Sequence, residues 1–155
     1  MFPGRLALRL RRAVCWRWLL RLVDADTAAF NMIVTALALP KATAGEQAAR
    51  ATAVQAATKY AAEVPLQVMQ TVLAGLEVIE AMVIHGNPNS ITDAGVGALA
   101  ARAAVTGAYM NVRANARGIT DRKFAADIIA QGKATQAQAI AIEQRIVALV
   151  DSKID

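Results

Sequence analysis

Apolar residues recur at helical spacing along nearly the whole chain, and prolines, glycines and short polar runs cut that pattern into a few long segments. One helix is expected to run out of the N-terminal residues through Asp24, Asp26, Phe30 and Ile33 to about Leu39, where Pro40 pushes its predecessor out of the α region. Thr43, with Glu46 three residues on, has the spacing of a capping box and predicts a second helix to about Glu63. Pro65 then kinks or divides it. Residues 66–84 carry Val68, Val72, Leu76 and Ile79 on one face, and Gly86 with Pro88 predicts the stop. Ser90 and Asp93 repeat the capping-box spacing, with Thr92 a second candidate cap, and open a helix to about Arg117. Gly118 closes it. Thr120 is then expected to cap a last helix with Phe124, Ile128, Ala139, Ile142 and Ile146 inward, ending near Val150.

Length and composition agree with this pattern. A chain of 155 residues is one domain of common size, and 56% hydrophobic content supplies a core. Alanine, the best helix former, dominates, while strand-like alternation and hairpin signals are scarce. The prediction is all-α: an antiparallel bundle of long helices, kinked near Pro65.

Charge changes the picture only at the front. The first 22 residues hold Arg5, Arg9, Arg11, Arg12, Arg17 and Arg21 and no acid, whereas the remainder holds 11 basic and 12 acidic residues. The net charge of +5 is therefore local, and no basic surface for nucleic acid is expected. Arginines interrupt the apolar run too often for a signal peptide or a membrane span, and they do not gather on one helical face. Residues 1–21 read as an atypical, poorly organised Arg-rich leader and 22–155 as the helical domain, with a cytoplasmic setting and no membrane partner. Cys15 is the single cysteine and His85 the single histidine, so neither an intrachain disulfide nor a conventional zinc set is expected.

Two polar groups stand out from the alanine background. HGNPNSITDAGVG, from His85 to Gly97, contains Asn87, Asn89 and Asp93 beyond what one turn requires. Turn formation is the plain reading of the asparagines, and favourable interaction with a helix dipole is that of Asp93. Further on, Asn111 and Asn115 are four apart, so their amides point the same way along a helix. They suit a neighbouring backbone or a flat heterocycle with donors and acceptors along one edge. Between these groups Gly97, Ala101, Ala104 and Ala108 form a narrow small-residue stripe. It permits close helix approach, inside the monomer or at a subunit interface. Arg102 argues against a membrane-spanning reading of that helix.

The segments VDADTAAFN, AAEVPL, GNPNSITDAGVGALAARAAVTGAYMNVRAN and ITDRKF, in this order, resemble the cyclodeaminase/cyclohydrolase family of folate enzymes. The resemblance covers Leu22 to about Val150. Family members open with a Gly-Gly-Gly-Ser turn and a long buried helix, for which residues 1–21 offer no counterpart. The resemblance implies hydrolysis of 5,10-methenyltetrahydrofolate to 10-formyltetrahydrofolate, or cyclisation of 5-formiminotetrahydrofolate with release of ammonia. A catalytically impaired folate-binding or helical oligomeric homologue is the competing class. On this resemblance Asp93 is the acid/base or cation-stabilising group, and Asn87, Asn89, Asn111 and Asn115 orient the pterin and the reacting carbon. Asp24 meets the pterin edge, and Arg113 and Arg117 meet the glutamate tail. Surface solvation is the alternative for Asp24 and both arginines. The folate is substrate, no metal or other cofactor is implied, and a homodimer is expected.

Overall fold

The computed structural model describes the backbone of residues 4–154 and side chains from Cys15 onward. Four long helices follow one another: α1 (Gly4–Ala38), α2 (Ala44–His85), α3 (Ile91–Ala116) and α4 (Arg122–Ile154), with one 3-10 turn, Pro88–Ser90, between α2 and α3. There is no strand among the described residues, so the all-α bundle stands. α1 crosses position 22 without a break, so residues 4–21 are helical rather than poorly organised. The side chains of the first five arginines of that segment, except Arg17, lie outside the described residues.

α2 is the hub, packing against α1, α3 and α4. Its start follows the predicted capping box. The Glu46 N–H donates to Thr43 Oγ1 at 3.2 Å, and the Thr43 and Ala42 N–H groups donate to Glu46 Oε2 at 2.9 and 2.8 Å. Those backbone donors hold the Glu46 carboxyl below its ordinary value. α2 is also long and apolar enough by composition to cross a membrane. Within the bundle the same apolar length serves three packing faces.

Pro65 does not divide α2. It lies inside the helix, in its most buried stretch, where Ala61, Ala62, Val64, Pro65 and Leu66 are all buried. A proline nitrogen has no hydrogen to donate, so the carbonyl four residues earlier, on Ala61, loses its helical partner. Asn115 of α3 supplies the replacement: its Nδ2 donates to Ala61 O at 2.7 Å.

The main core joins α2, α3 and α4 through Met69, Leu76, Val105, Val112, Ile119, Ile128 and Ile146. A second cluster seats α1 on α2 through Leu22, Ala29, Ala61 and Val64. Of the small-residue stripe, Gly97 faces Ile79, Ala101 packs against the main core and Ala108 belongs to it, while Ala104 is exposed. Most of the stripe therefore serves packing within the monomer. Deeper along α4, Gly132 is buried where a Cβ would stand 2.7 Å from the Tyr109 ring. We expect Gly132→Ala to destabilise the fold by ~1–3 kcal/mol, because Tyr109 is wedged against α4 and has to shift. Denaturant unfolding checks this, and adding Tyr109→Ala should relieve most of the penalty attached to the new methyl.

Candidate active site

The first polar group is built by the α2–α3 connection. The Lys153 ammonium, near the end of α4, donates to Val83 O at 2.7 Å and satisfies one terminal carbonyl of α2. Gly86 N–H donates to Met82 O at 2.7 Å, and a Cβ on Gly86 would collide with that carbonyl oxygen. Glycine is thus required by close approach, its φ of −82° being ordinary. Asn87 then caps the 3-10 turn, its Oδ1 accepting from the Asn89 N–H at 3.1 Å. The predicted Ser90–Asp93 capping box is not made. Ser90 stands at the N-cap of α3 with no side-chain bond, because the preceding 3-10 turn leaves it at φ −115°, ψ 20°. Asp93 is exposed in the first turn of α3 and makes no hydrogen bond or ion pair among the described residues. Asn87 and Asn89 are exposed beside it.

The second group is at the other end of α3. Asn111 is exposed, whereas Asn115 is half-buried with its amide nitrogen committed to Ala61. The donor side of Asn115 therefore holds a neighbouring backbone, one of the two uses the spacing allowed. Arg113 lies over the Tyr109 ring at 5.8 Å, and Arg117 is exposed. Asp24 is exposed on α1. Asp93 and Asn111 are eighteen positions apart on one continuous helix, a distance of ~27 Å at 1.5 Å per residue. One chain therefore holds its polar constellation as two separate halves.

Sequence reasoning missed the clamp that fixes the α3–α4 turn. Gln55 of α2 donates through Nε2 to Gly118 O at 3.0 Å and accepts at Oε1 from Thr120 N and Oγ1 at 2.8 and 3.0 Å. Thr120 thus bonds across to α2 instead of capping α4. The cap is Asp121, whose Oδ1 accepts from Phe124 N at 3.0 Å while Oδ2 meets Lys59 Nζ at 2.8 Å. The Lys59 bond, then the Phe124 N–H, holds the Asp121 carboxyl below its ordinary value. Lys59 also lies 4.9 Å from the Phe124 ring centroid. Beside it a cavity of about 150 Å³ opens between α2 and α4, lined by Glu63, Leu66, Phe124, Asp127, Ile128 and Gln131. A buried acid was missed as well. Glu143 is 4% exposed, with Oε2 3.6 Å from Arg102 Nη1 and no hydrogen bond to that oxygen. Its spacing from Ala139, Ile146 and Val150 places it on the core stripe of α4, a signal the sequence carried.

Comparison with known proteins places these elements in context. The sequence profile of the formiminotransferase-cyclodeaminase family matches residues 8–134, taking in part of the segment set apart as a leader. The chain is 37% identical over 139 residues to a methenyltetrahydrofolate cyclohydrolase of Methylorubrum extorquens, covering 90% of this chain and 67% of that protein. It is 41% identical over 106 residues to a formimidoyltransferase-cyclodeaminase of Gallus gallus, covering 68% of this chain and 20% of that protein. A solved formiminotetrahydrofolate cyclodeaminase from Thermotoga maritima superposes with a TM-score of 0.75 at 24% identity, over 96% of this chain and 67% of that one, and so shares the fold. With the family match spanning most of its length, this chain belongs to the formiminotransferase-cyclodeaminase family.

Proposed function

We propose that the protein is a one-carbon folate enzyme that hydrolyses 5,10-methenyltetrahydrofolate to 10-formyltetrahydrofolate. The observation that carries this reading is the 37% identity with a methenyltetrahydrofolate cyclohydrolase across nine-tenths of the chain. Water adds to the cationic carbon between N5 and N10 and gives a tetrahedral carbinolamine. The bond to N5 then breaks, leaving the formyl group on N10 and releasing one proton overall. The net change is hydration and ring opening without oxidation, so proton transfer and positioning are the protein's tasks.

Asp93 is the proposed base. It is exposed in the first turn of α3, and no internal bond occupies it. As a carboxylate it opposes the substrate's positive charge, accepts a proton from the attacking water and returns it to N5. Asn87, Asn89 and Asn111 orient the pterin and the reacting carbon, with the oxygen of Asn115 a further acceptor. Asp24 serves the pterin edge, and Arg113 and Arg117 the glutamate tail. A homodimer belongs to the same proposal. Formiminotetrahydrofolate cyclodeamination is the second reading, favoured by the 41% identity with the avian cyclodeaminase over 106 residues. Both reactions place a tetrahedral carbon between two nitrogens, and Asp93 serves either.

The expected outcome is loss of methenyltetrahydrofolate absorbance above the spontaneous rate when purified protein is added at neutral pH. Asp93→Asn should lower turnover ~10²–10⁴-fold. Its melting temperature should stay near that of the parent, since Asp93 makes no cap. A spectral shift without loss, or turnover by Asp93→Asn within a few-fold of the parent, would overturn this assignment.

A further inference from the structure

α1 buries one stripe of its surface and leaves the next one in water. Leu19, Leu22, Ala25, Ala29 and Ile33 seat it on Ala61 and Val64 of α2. A second line runs beside that seat, ~100° round the helix, through Trp16, Leu20, Val23, Phe30, Val34 and Leu37. All six are exposed, with Trp16 at 63%, Val23 at 64% and Phe30 at 65%. Steps of four and three positions, through Thr27 in the middle, keep the line straight over ~30 Å of helix. α1 packs on α2 and has no second substantial packing partner among the described residues. An apolar line of this length facing water marks an interaction surface.

Charge decides the kind of partner. The first 22 residues hold six arginines and no acid, while residues 27–40 hold no charge. Arg17 and Arg21 are exposed, and the Arg21 guanidinium lies 5.8 Å from the Trp18 ring centroid. One end of α1 is therefore basic and carries both tryptophans, and the other is apolar and uncharged. An anionic lipid surface suits both ends at once. Its phosphates attract arginines, its acyl boundary takes up apolar side chains, and tryptophan favours the level between them. Nucleic acid would neutralise the arginines and leave Phe30, Val34 and Leu37 in water. A second copy would cover the apolar line but would bring six more arginines with it. Arg17, Arg21, Asp24 and Asp26, near the middle of α1, keep it from crossing a bilayer. Along the sequence the arginines gather on no single face, which pointed away from a membrane. The seat on α2 alters that, because it selects the line of α1 that is presented outward.

We propose that α1 is a peripheral docking helix that lies along an anionic lipid surface. Trp16, Leu20, Val23, Phe30, Val34 and Leu37 enter the boundary between headgroups and acyl chains, and the arginine-rich end meets lipid phosphates. This assignment is independent of the folate reading.

Trp16 and Trp18 are the two tryptophans of the chain, so their emission reports docking directly. The full chain is titrated with vesicles of phosphatidylcholine, alone or mixed with phosphatidylglycerol. With phosphatidylglycerol present, emission should shift to the blue and the protein should sediment with the vesicles. High salt should weaken both effects, and pure phosphatidylcholine should give neither. Val23→Ser combined with Phe30→Ser should weaken binding ~10-fold or more, since the apolar part of the contact is lost. Arg17→Gln combined with Arg21→Gln should weaken binding and flatten its salt dependence. Met32→Ser removes another exposed apolar residue, but one ~200° round the helix from Phe30, and should bind like the parent. Circular dichroism checks that each variant keeps its helix content; should the serine pair lose it, the arginine pair and Met32→Ser carry the test. Equal binding to both vesicle types, or to neither, overturns the proposal. So does vesicle binding that the folded serine pair leaves intact, or that Met32→Ser weakens equally. Doubling of mass with concentration, abolished by the serine pair and without vesicle binding, gives the line to a second copy instead. Retention of a single-stranded oligonucleotide without vesicle binding gives the arginines to nucleic acid instead.

Discussion

The bond from Asn115 to the Ala61 carbonyl is the contact on which the arrangement of helices depends. Pro65 removes a hydrogen-bond donor from the most buried part of the helix that all three others touch. An unpaired carbonyl there costs about 1–3 kcal/mol, a large share of the stability of a domain this size. Repair comes from another helix, so local continuity of α2 and docking of α3 become one event. The 2.7 Å bond from α3 offsets the penalty that the proline imposes. Further polar links gather near it, with Gln55 holding the Gly118–Thr120 turn and Lys59 holding Asp121. Together they lock the C-terminal end of α3 and the start of α4 to the first half of α2.

The other end of α3 is held differently. Lys153 returns from α4 to the carbonyl of Val83, Gly86 fits where no side chain fits, and Asn87 turns the chain into α3. With both ends fixed, α3 is a rigid spacer between two polar groups ~27 Å apart or more. A single chain offers Asp93 at one end and Asn111 at the other.

Much of the fold was legible from the chain because it is written locally. The capping box at Thr43, the stop at Pro40, the long apolar faces and the break at Gly118 all depend on residues within a few positions of one another. What escaped was settled by residues distant in sequence. Pro65 could kink or divide α2, and the answer lay in Asn115, fifty-four positions from the carbonyl it repairs. The Asn111–Asn115 spacing suited either a neighbouring backbone or a ligand, and which backbone takes the Asn115 amide nitrogen, that of Ala61 on α2, depends on packing between helices. Thr120 looked like a cap because the partner that draws it away, Gln55, sits on another helix. Ser90 had the spacing of a cap, but a 3-10 turn alters its backbone angles. The candidate site residues stood out as sequence segments, and their division between the two ends of one helix follows from the predicted run to about Arg117, which α3 matches.

A double-mutant cycle between Pro65 and Asn115, followed by urea unfolding, tests the central contact most directly. Asn115→Ala alone should cost ~1–3 kcal/mol, because the Ala61 carbonyl is left buried without a donor. In the Pro65→Ala background the new backbone N–H can reach that carbonyl, so the same Asn115→Ala change should cost little. The account therefore predicts a coupling energy of about 1 kcal/mol or more between the two positions. Additive effects, with Asn115→Ala equally costly in both backgrounds, would contradict it.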